Sequence, residues 1–179
     1  MSELLELHDI DDATAFNLRR WEELLDDPYV RNYVGREDTD RFGRMIKIPP
    51  PGYDHGGYQS GIIDSFKRYL KTGRVTVETP ISTSAGVRLA DAAWASAEFL
   101  AGFPEKCGCL PSAPEICLEV VSLSNSRAEL EEKRCLYFEA GAKEFWLCKD
   151  GKINFYLGGA EPPAERSVLC PEFPRVIEL

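Results

Sequence analysis

The sequence predicts an α/β or α+β sandwich, and three observations carry the prediction. Two stretches, around residues 12–27 and 55–72, place apolar residues at helical spacing. Residues 115–121, Glu-Ile-Cys-Leu-Glu-Val-Val, are apolar on nearly both faces, the pattern of a central, buried strand. Asp150-Gly151 stands between two β-rich runs, a strong hairpin signal. A chain of 179 residues suits one domain and can bury a core without disulfide staples.

In chain order, Asp11 and Asp12 can cap a helix that runs to about Asp27 through Phe16, Leu18, Trp21, Leu24 and Leu25, with Pro28 as its stop. Residues 41–48 read as a strand entered through a turn at Phe42-Gly43, and Pro49-Pro50-Pro51-Gly52 is a firm break. A helix opens at His55, carries Ile62, Ile63, Phe66, Tyr69 and Leu70 on one face, and has Gly73 past its end. Residues 75–78 and 87–94 are strands, and residues 102–114 form a loop rich in Gly, Pro and Cys. Ser126-x-x-Glu129 is a capping box for a helix reaching Ala140, with Gly141 beyond it. Strands at residues 143–148 and 152–157 flank Asp150-Gly151, and the tail from Pro171 has no helical period and is expected to pack on the body. The first 40 residues are set apart as an acidic, helical segment of the same domain.

Lys plus Arg number 21 and Asp plus Glu 30, a net charge of −9, which at face value disfavours a polyanionic partner. The charge is uneven. Residues 1–40 hold twelve acidic and four basic residues, whereas residues 41–75 hold seven basic ones (Arg41, Arg44, Lys47, Lys67, Arg68, Lys71, Arg74) against Asp54 and Asp64. No apolar run approaches the roughly 18 residues that span a bilayer, so no membrane partner is expected. The opening Met-Ser-Glu-Leu-Leu-Glu has neither the basic region nor the apolar stretch of a secretion signal, so the chain reads as cytoplasmic. The six cysteines then read as free thiols, with Cys117, Cys135 and Cys148 packing as small apolar residues. Cys107-Gly-Cys109 has no Cys-x-x-Cys partner pair and is far in sequence from both His8 and His55.

Three charged residues stand in apolar surroundings. Asp91 lies mid-strand between Ala90 and Ala92, and Glu119 between Leu118 and Val120 in the most buried strand. An ionised carboxylate there costs several kcal/mol unless it is paired or metal-bound. On the helix at 126–140, Leu130, Lys133, Leu136, Tyr137 and Ala140 share one face, so Lys133 faces the sheet, with Arg134 at the inner edge as a second candidate partner. These residues allow two arrangements. In one, Lys133 neutralises Glu119 in a buried ion pair. In the other, Asp91 and Glu119 on adjacent strands bind Mg²⁺ or Mn²⁺ while Lys133 orients water or stabilises charge on a phosphate.

Asp91, Glu119-x-Val121 and a lysine on the next helix resemble the PD-(D/E)XK nuclease superfamily. More narrowly, the chain resembles the Uma-type family of restriction endonucleases. The matching stretches are Gly86-Val-Arg-Leu-Ala-Asp91-Ala-Ala-Trp94, Ala113-Pro-Glu-Ile-Cys-Leu-Glu119-Val-Val-Ser122, and Lys133-Arg-Cys-Leu-Tyr137 followed by Ala140-Gly141-Ala-Lys-Glu-Phe-Trp146. Arg36-Glu37, Gly43 and the proline-rich turn before His55 also fit, so the likeness covers roughly residues 15–179. It implies a restriction-endonuclease-like mixed β-sheet flanked by helices, with Asp91, Glu119 and Lys133 as catalytic residues. It implies Mg²⁺ or Mn²⁺ on Asp91 and Glu119, and DNA phosphodiester hydrolysis by a homodimer. Glu37 matches an acidic position that can be a third metal ligand, and His55 a histidine that can contact phosphate. The sequence departs from the superfamily pattern at Val121, where the lysine usually stands, and at Ala90, where a proline does. Lys67, Arg68 and Lys71 cluster on one helix and offer a surface for DNA phosphates, in a protein whose charge predicts weak DNA binding. Glu78, mid-strand, is a further acidic candidate. The alternatives are a catalytically silent member of the fold acting as a dimerising or protein-binding module, and a hydrolase of a small phosphate compound. A cleft open to solvent around Asp91, Glu119 and Lys133 favours chemistry, whereas a Glu119 sealed against Lys133 or Arg134 favours the ion pair.

Overall fold

The computed structural model describes residues 12–31, 36–104, 107–122, 125–158 and 162–179. Helix α1 (Ala13–Asp26) opens where the Asp12 side chain accepts the Ala15 N–H at 2.9 Å; Asp11 lies outside the described residues. Trp21 and Leu24 bury one face of α1 against Val87, Leu89 and Cys109. Pro28 does more than stop this helix: it begins the single turn α2 (Pro28–Arg31), where a missing N–H costs nothing.

The strand expected at 41–48 is one arm of a hairpin, β1 (Arg36–Thr39) with β2 (Met45–Ile48), closed by Asp40, whose Oδ1 accepts the N–H groups of Phe42 and Arg44 at 2.9 Å. Helix α3 (Tyr53–Tyr69) starts two residues before His55 and buries Ile62 and Phe66. Strands β3 (Arg74–Thr83) and β4 (Gly86–Ala95) form a long hairpin, and β4 is buried at every position. The short helix α4 (Ala97–Ala101), which lacks a periodic pattern in the sequence, is capped by Ser96. Strand β5 (Ile116–Val120), helix α5 (Arg127–Glu139) and strands β6 (Glu144–Lys149) and β7 (Lys152–Leu157) complete the chain. Asp150 and Gly151 turn the last hairpin with φ of 50° and 76°, as a type I′ turn requires.

The five-stranded sheet has the order β3-β4-β5-β6-β7. β5 is central, antiparallel to β4 and parallel to β6, so α5 is the crossover between two parallel strands. Successive β5 residues point to opposite faces. Ile116, Leu118 and Val120 join Phe66, Trp146, Phe155, Phe173 and Ile177 under α3, whereas Cys117 joins Tyr137 and Phe145 under α5. The tail packs on this body, with Ile177 seated on α3 so closely that a Cβ at Gly61 would come within 2.5 Å of Ile177 Cγ2. Cys117 and Cys148 are buried as expected, but Cys135 is exposed, because it lies on α5 outside the Lys133 face. Among the described residues no helix is long and apolar enough to cross a membrane.

The β1–β2 hairpin is held on β4 by polar groups. Thr39 Oγ1 accepts the Val87 N–H at 2.9 Å, Asp38 Oδ1 accepts that of Leu89 at 2.8 Å, and Arg88 donates to the Thr39 carbonyl. Gly86 permits this approach: its φ is +108°, and a Cβ there would stand 2.3 Å from the Thr39 oxygen. Gly86→Ala is therefore expected to lower stability by about 1–3 kcal/mol, measured by urea unfolding. A change within 0.5 kcal/mol would show that the hairpin packs less closely in solution.

Candidate active site

Strands β4 and β5 pair over only three positions, ending at Ala92 opposite Leu118. Beyond that point they diverge, and backbone groups that a ladder would satisfy are met by side chains. Asp91 Oδ2 accepts the Val120 N–H at 2.7 Å, and Lys133 Nζ donates to the Leu89 carbonyl at 3.0 Å. The divergence thus leaves the Asp91 and Glu119 carboxylates close enough to Lys133 for both to act on its charge.

Glu119 follows the alternation of β5 to the α5 face. Lys133 Nζ stands 3.1 Å from both of its oxygens, and the Tyr137 hydroxyl donates to Oε1 at 2.8 Å. Asp91 is gripped from other elements. Arg36 Nη1 of β1 lies 2.6 Å from Oδ1, and His55 Nε2 of α3 lies 3.1 Å from Oδ2. The same Arg36 nitrogen lies 2.8 and 2.9 Å from the two oxygens of Glu78. Gln59, one turn after His55, donates to Glu78 Oε1 at 3.1 Å and to the Asp91 carbonyl at 2.6 Å.

Burial pushes the Glu119 carboxyl up to about 8, with the Lys133 charge as the main pull the other way and Asp91 adding to the rise. Burial also pushes Asp91 upward, but the His55 contact, the Val120 amide and Arg36 together hold it below the usual carboxylate range. For Lys133 burial is outweighed by Glu119, Asp38 and Asp91, which keep it cationic. Asp38 on β1 is raised by burial and belongs to the same electrostatic neighbourhood.

Asp91, Glu119 and Lys133 are therefore brought together, at 4%, 3% and 6% exposure, in a closed arrangement rather than an open cleft. Glu119 is sealed against Lys133; Arg134 instead pairs with Glu131 on the outer side of α5. Glu37 is buried, but its carboxylate makes no contact with Asp91 or Glu119 among the described residues, and its Oε1 lacks a partner. His55 meets Asp91 directly, and its Nδ1 is buried without a partner. Lys67 and Arg68 are exposed at the other end of α3, about 18 Å along the axis from His55 at 1.5 Å per residue, and Lys71 is exposed just past that end. They do not join the carboxylates. Arg127, Arg134 and Lys149 are nearer the end of β5, around a cleft of about 490 Å³ that Val121 and Leu130 also line.

Arg36, Gln59 and the Tyr137 hydroxyl escaped sequence reasoning. Gln59 had a signal: His55 and Gln59 are four residues apart and continue the stripe of Ile62 and Phe66. Arg36 had one in the resemblance, where Arg36-Glu37 fits, but its contact with Asp91 depends on the hairpin and not on residue order.

The donor set suits a hard divalent cation, since Mg²⁺ uses one or two carboxylates and completes its shell with water and substrate oxygens. Among the described residues no group of three or more His, Cys, Asp and Glu side chains could hold a metal ion. The fit rests on two carboxylates, Asp91 and Glu119, each of which already meets a protein cation, Arg36 and Lys133 respectively.

The Uma2 family model, described as "Putative restriction endonuclease", matches residues 39–174. Among solved structures, the chain is similar to a putative nuclease belonging to DUF820 from Anabaena variabilis ATCC 29413, with a TM-score of 0.65 and 17% identity over 79% of this chain and 80% of that one. At that identity the likeness is one of fold. None of the curated proteins matches.

Proposed function

Since the chain belongs to the Uma2 family of putative restriction endonucleases, we propose that it is a Mg²⁺- or Mn²⁺-dependent endonuclease that hydrolyses DNA phosphodiester bonds at Asp91, Glu119 and Lys133. The observation that carries this reading is the convergence of these three residues where β4 and β5 part, each oriented by a second residue. Asp91 would hold the cation, with Glu119 beside it. A bound divalent ion supplies Lewis acidity at the phosphate and makes water a stronger nucleophile. Lys133, kept cationic by its acidic neighbours, orients Glu119 and would offer positive charge to the five-coordinate transition state at phosphorus. Tyr137 holds Glu119 in one rotamer. Arg127, Arg134 and Lys149 are candidates for backbone phosphates beyond the strand end.

The test is cleavage of plasmid and single-stranded DNA in Mg²⁺ or Mn²⁺ by the wild type, Asp91→Ala, Glu119→Gln and Lys133→Ala, each first checked for folding. Each substitution is expected to lower the rate by about 10²–10³. Cleavage that persists in all three overturns the site.

A second reading has a specific observation in its favour. Asp91 and Glu119 are nearly inaccessible and each already faces a protein cation. This is what a silent member of the fold, acting as a dimerising or protein-binding module, would have. Such a protein would cleave neither substrate, and a folded Asp91→Ala variant would keep its oligomeric state in sedimentation.

A further inference from the structure

We propose that the cleft between α5 and the β6–β7 hairpin takes a single strand of nucleic acid, with an unpaired base stacked against Arg134 and Tyr156 and the flanking phosphates on Arg127 and Lys149. This rests on the nuclease reading above and names the strand state of its substrate. The cleft lies at one end of the sheet. Strands β5 and β6 are parallel; Val121 follows the end of the first and Lys149 ends the second. Their crossover helix α5 begins at that same end with Arg127. In open α/β sheets, ligands settle in the crevice outside the carboxyl ends of such strands. Val121 is two residues past Glu119, so both point to the α5 face, and Leu130, which also lines the cleft, precedes Lys133 by about one turn. A strand seated there reaches the sheet end nearest Glu119 and Lys133.

The lining suits phosphates and a base together. Arg127, Arg134 and Lys149 line the cleft with one acidic residue, Glu131, in a chain of net charge −9. Arg134 is held in place rather than spread into solvent. Its side chain is 13% exposed, its Cζ lies 4.8 Å from the Tyr156 ring centroid, and its Nε donates to Glu131 Oε2 at 3.1 Å. The Tyr156 ring in turn lies 6.0 Å from that of Phe145, deeper in the cleft wall. A guanidinium fixed on an aromatic ring is a planar, cationic surface. Unpaired bases stack on such surfaces in single-strand sites. Arg127 and Lys149 are exposed, on long side chains that can follow a phosphate backbone.

Size and stacking together select the single strand. The cleft holds about 490 Å³, within the range of about 300–1,000 Å³ that small-molecule sites span. That is room for a nucleotide and not for a duplex. In a duplex the faces of each base are covered by its neighbours, so only an unpaired base can lie on Arg134 and Tyr156.

The test is fluorescence anisotropy of a labelled oligothymidylate in EDTA, where metal-dependent cleavage is stopped, compared with an abasic strand of the same length and with a duplex. Wild type should bind the oligothymidylate about tenfold more tightly than the abasic strand, the step expected for one stacked base, and more tightly than the duplex. Arg134→Lys keeps the charge and loses the plane. It should bind the abasic strand as wild type does and the oligothymidylate about tenfold more weakly. Arg127→Gln/Lys149→Gln should weaken both single strands alike and reduce the slope of log affinity against log salt by about 1.4, for two phosphate contacts on a single strand. Equal binding of oligothymidylate and abasic strand by the wild type, as for any polyanion, or tighter binding of the duplex, overturns the proposal whether or not the variants fold. Binding in the expected order without Mg²⁺- or Mn²⁺-dependent cleavage keeps the cleft and removes the nuclease reading. Cleavage that needs Asp91, with no such order of binding, removes the cleft alone.

Discussion

At alkaline pH, where Glu119 is ionised, Lys133→Met is expected to lower the unfolding free energy by about 3–5 kcal/mol, the range for a buried ion pair that loses one partner. Lys133 Nζ serves both oxygens of Glu119 and the Leu89 carbonyl, and it is 6% exposed. Without it, Glu119 keeps the Tyr137 hydroxyl and nothing cationic. The double variant Lys133→Met/Glu119→Gln should recover part of the loss, because no charge then remains to be compensated. The penalty should also depend on pH. Burial has already raised the Glu119 carboxyl, and Lys133 is the main force holding it down, so the variant raises it further. A group whose folded pKa exceeds its unfolded value contributes stability in full below the unfolded value and loses it as pH rises through the folded one. Urea unfolding should therefore show a larger Lys133→Met penalty at alkaline than at mildly acidic pH. A penalty below about 1 kcal/mol, flat with pH, would mean that the pair is solvated in solution.

Trp146→Ala is expected to cost about 3–5 kcal/mol through the cavity it opens. Trp146 is fully buried at the centre of the core under α3. It stacks on Phe66 at 5.1 Å and meets Phe155 and Phe173 edge-on at 5.0 and 4.6 Å. Its Nε1 donates to Glu144 Oε2 at 2.6 Å, so truncation also removes one donor from a buried carboxylate. Phe66 lies on the helix that carries His55 and Gln59, and the loss is thereby linked to the site. Trp146→Phe keeps most of the ring contacts and should cost less than half as much. Equal penalties for the two variants would place the effect in the Glu144 hydrogen bond rather than in packing.

Much of this core is legible in residue order. Residues 115–121 are apolar on both faces because β5 is covered on both sides, and such a strand belongs in the interior of the sheet. Ser126 and Glu129 mark the start of α5, where the Ser126 hydroxyl accepts the Glu129 N–H at 3.1 Å. Lys133 sits in the apolar stripe of α5 and does face the sheet. Strand β1 is not legible. Arg36-Glu-Asp-Thr39 is polar throughout, and it is buried because Asp38 and Thr39 satisfy β4 amides rather than because it is apolar. Strand β3 runs further than its β-branched start suggests, through Pro80, which an edge strand can hold because no neighbour needs its N–H.

The acidic positions show the same division. That Asp91 and Glu119 need a counter-charge follows from their place in apolar strands, since burial penalises an unpaired carboxylate wherever the strand lies. Which cation meets which carboxylate does not follow. Arg36 and Asp91 are 55 residues apart and Arg36 and Glu78 are 42 apart, and their contacts depend on how the β1–β2 hairpin lies on β4. The basic residues at 67–71 looked like partners for phosphate near the site, yet a straight helix carries them to the end away from His55. Periodicity along a chain assigns a residue to a face. It cannot assign the distance between faces of different elements, and here that distance decides that Glu119 meets Lys133 whereas Asp91 meets Arg36 and His55.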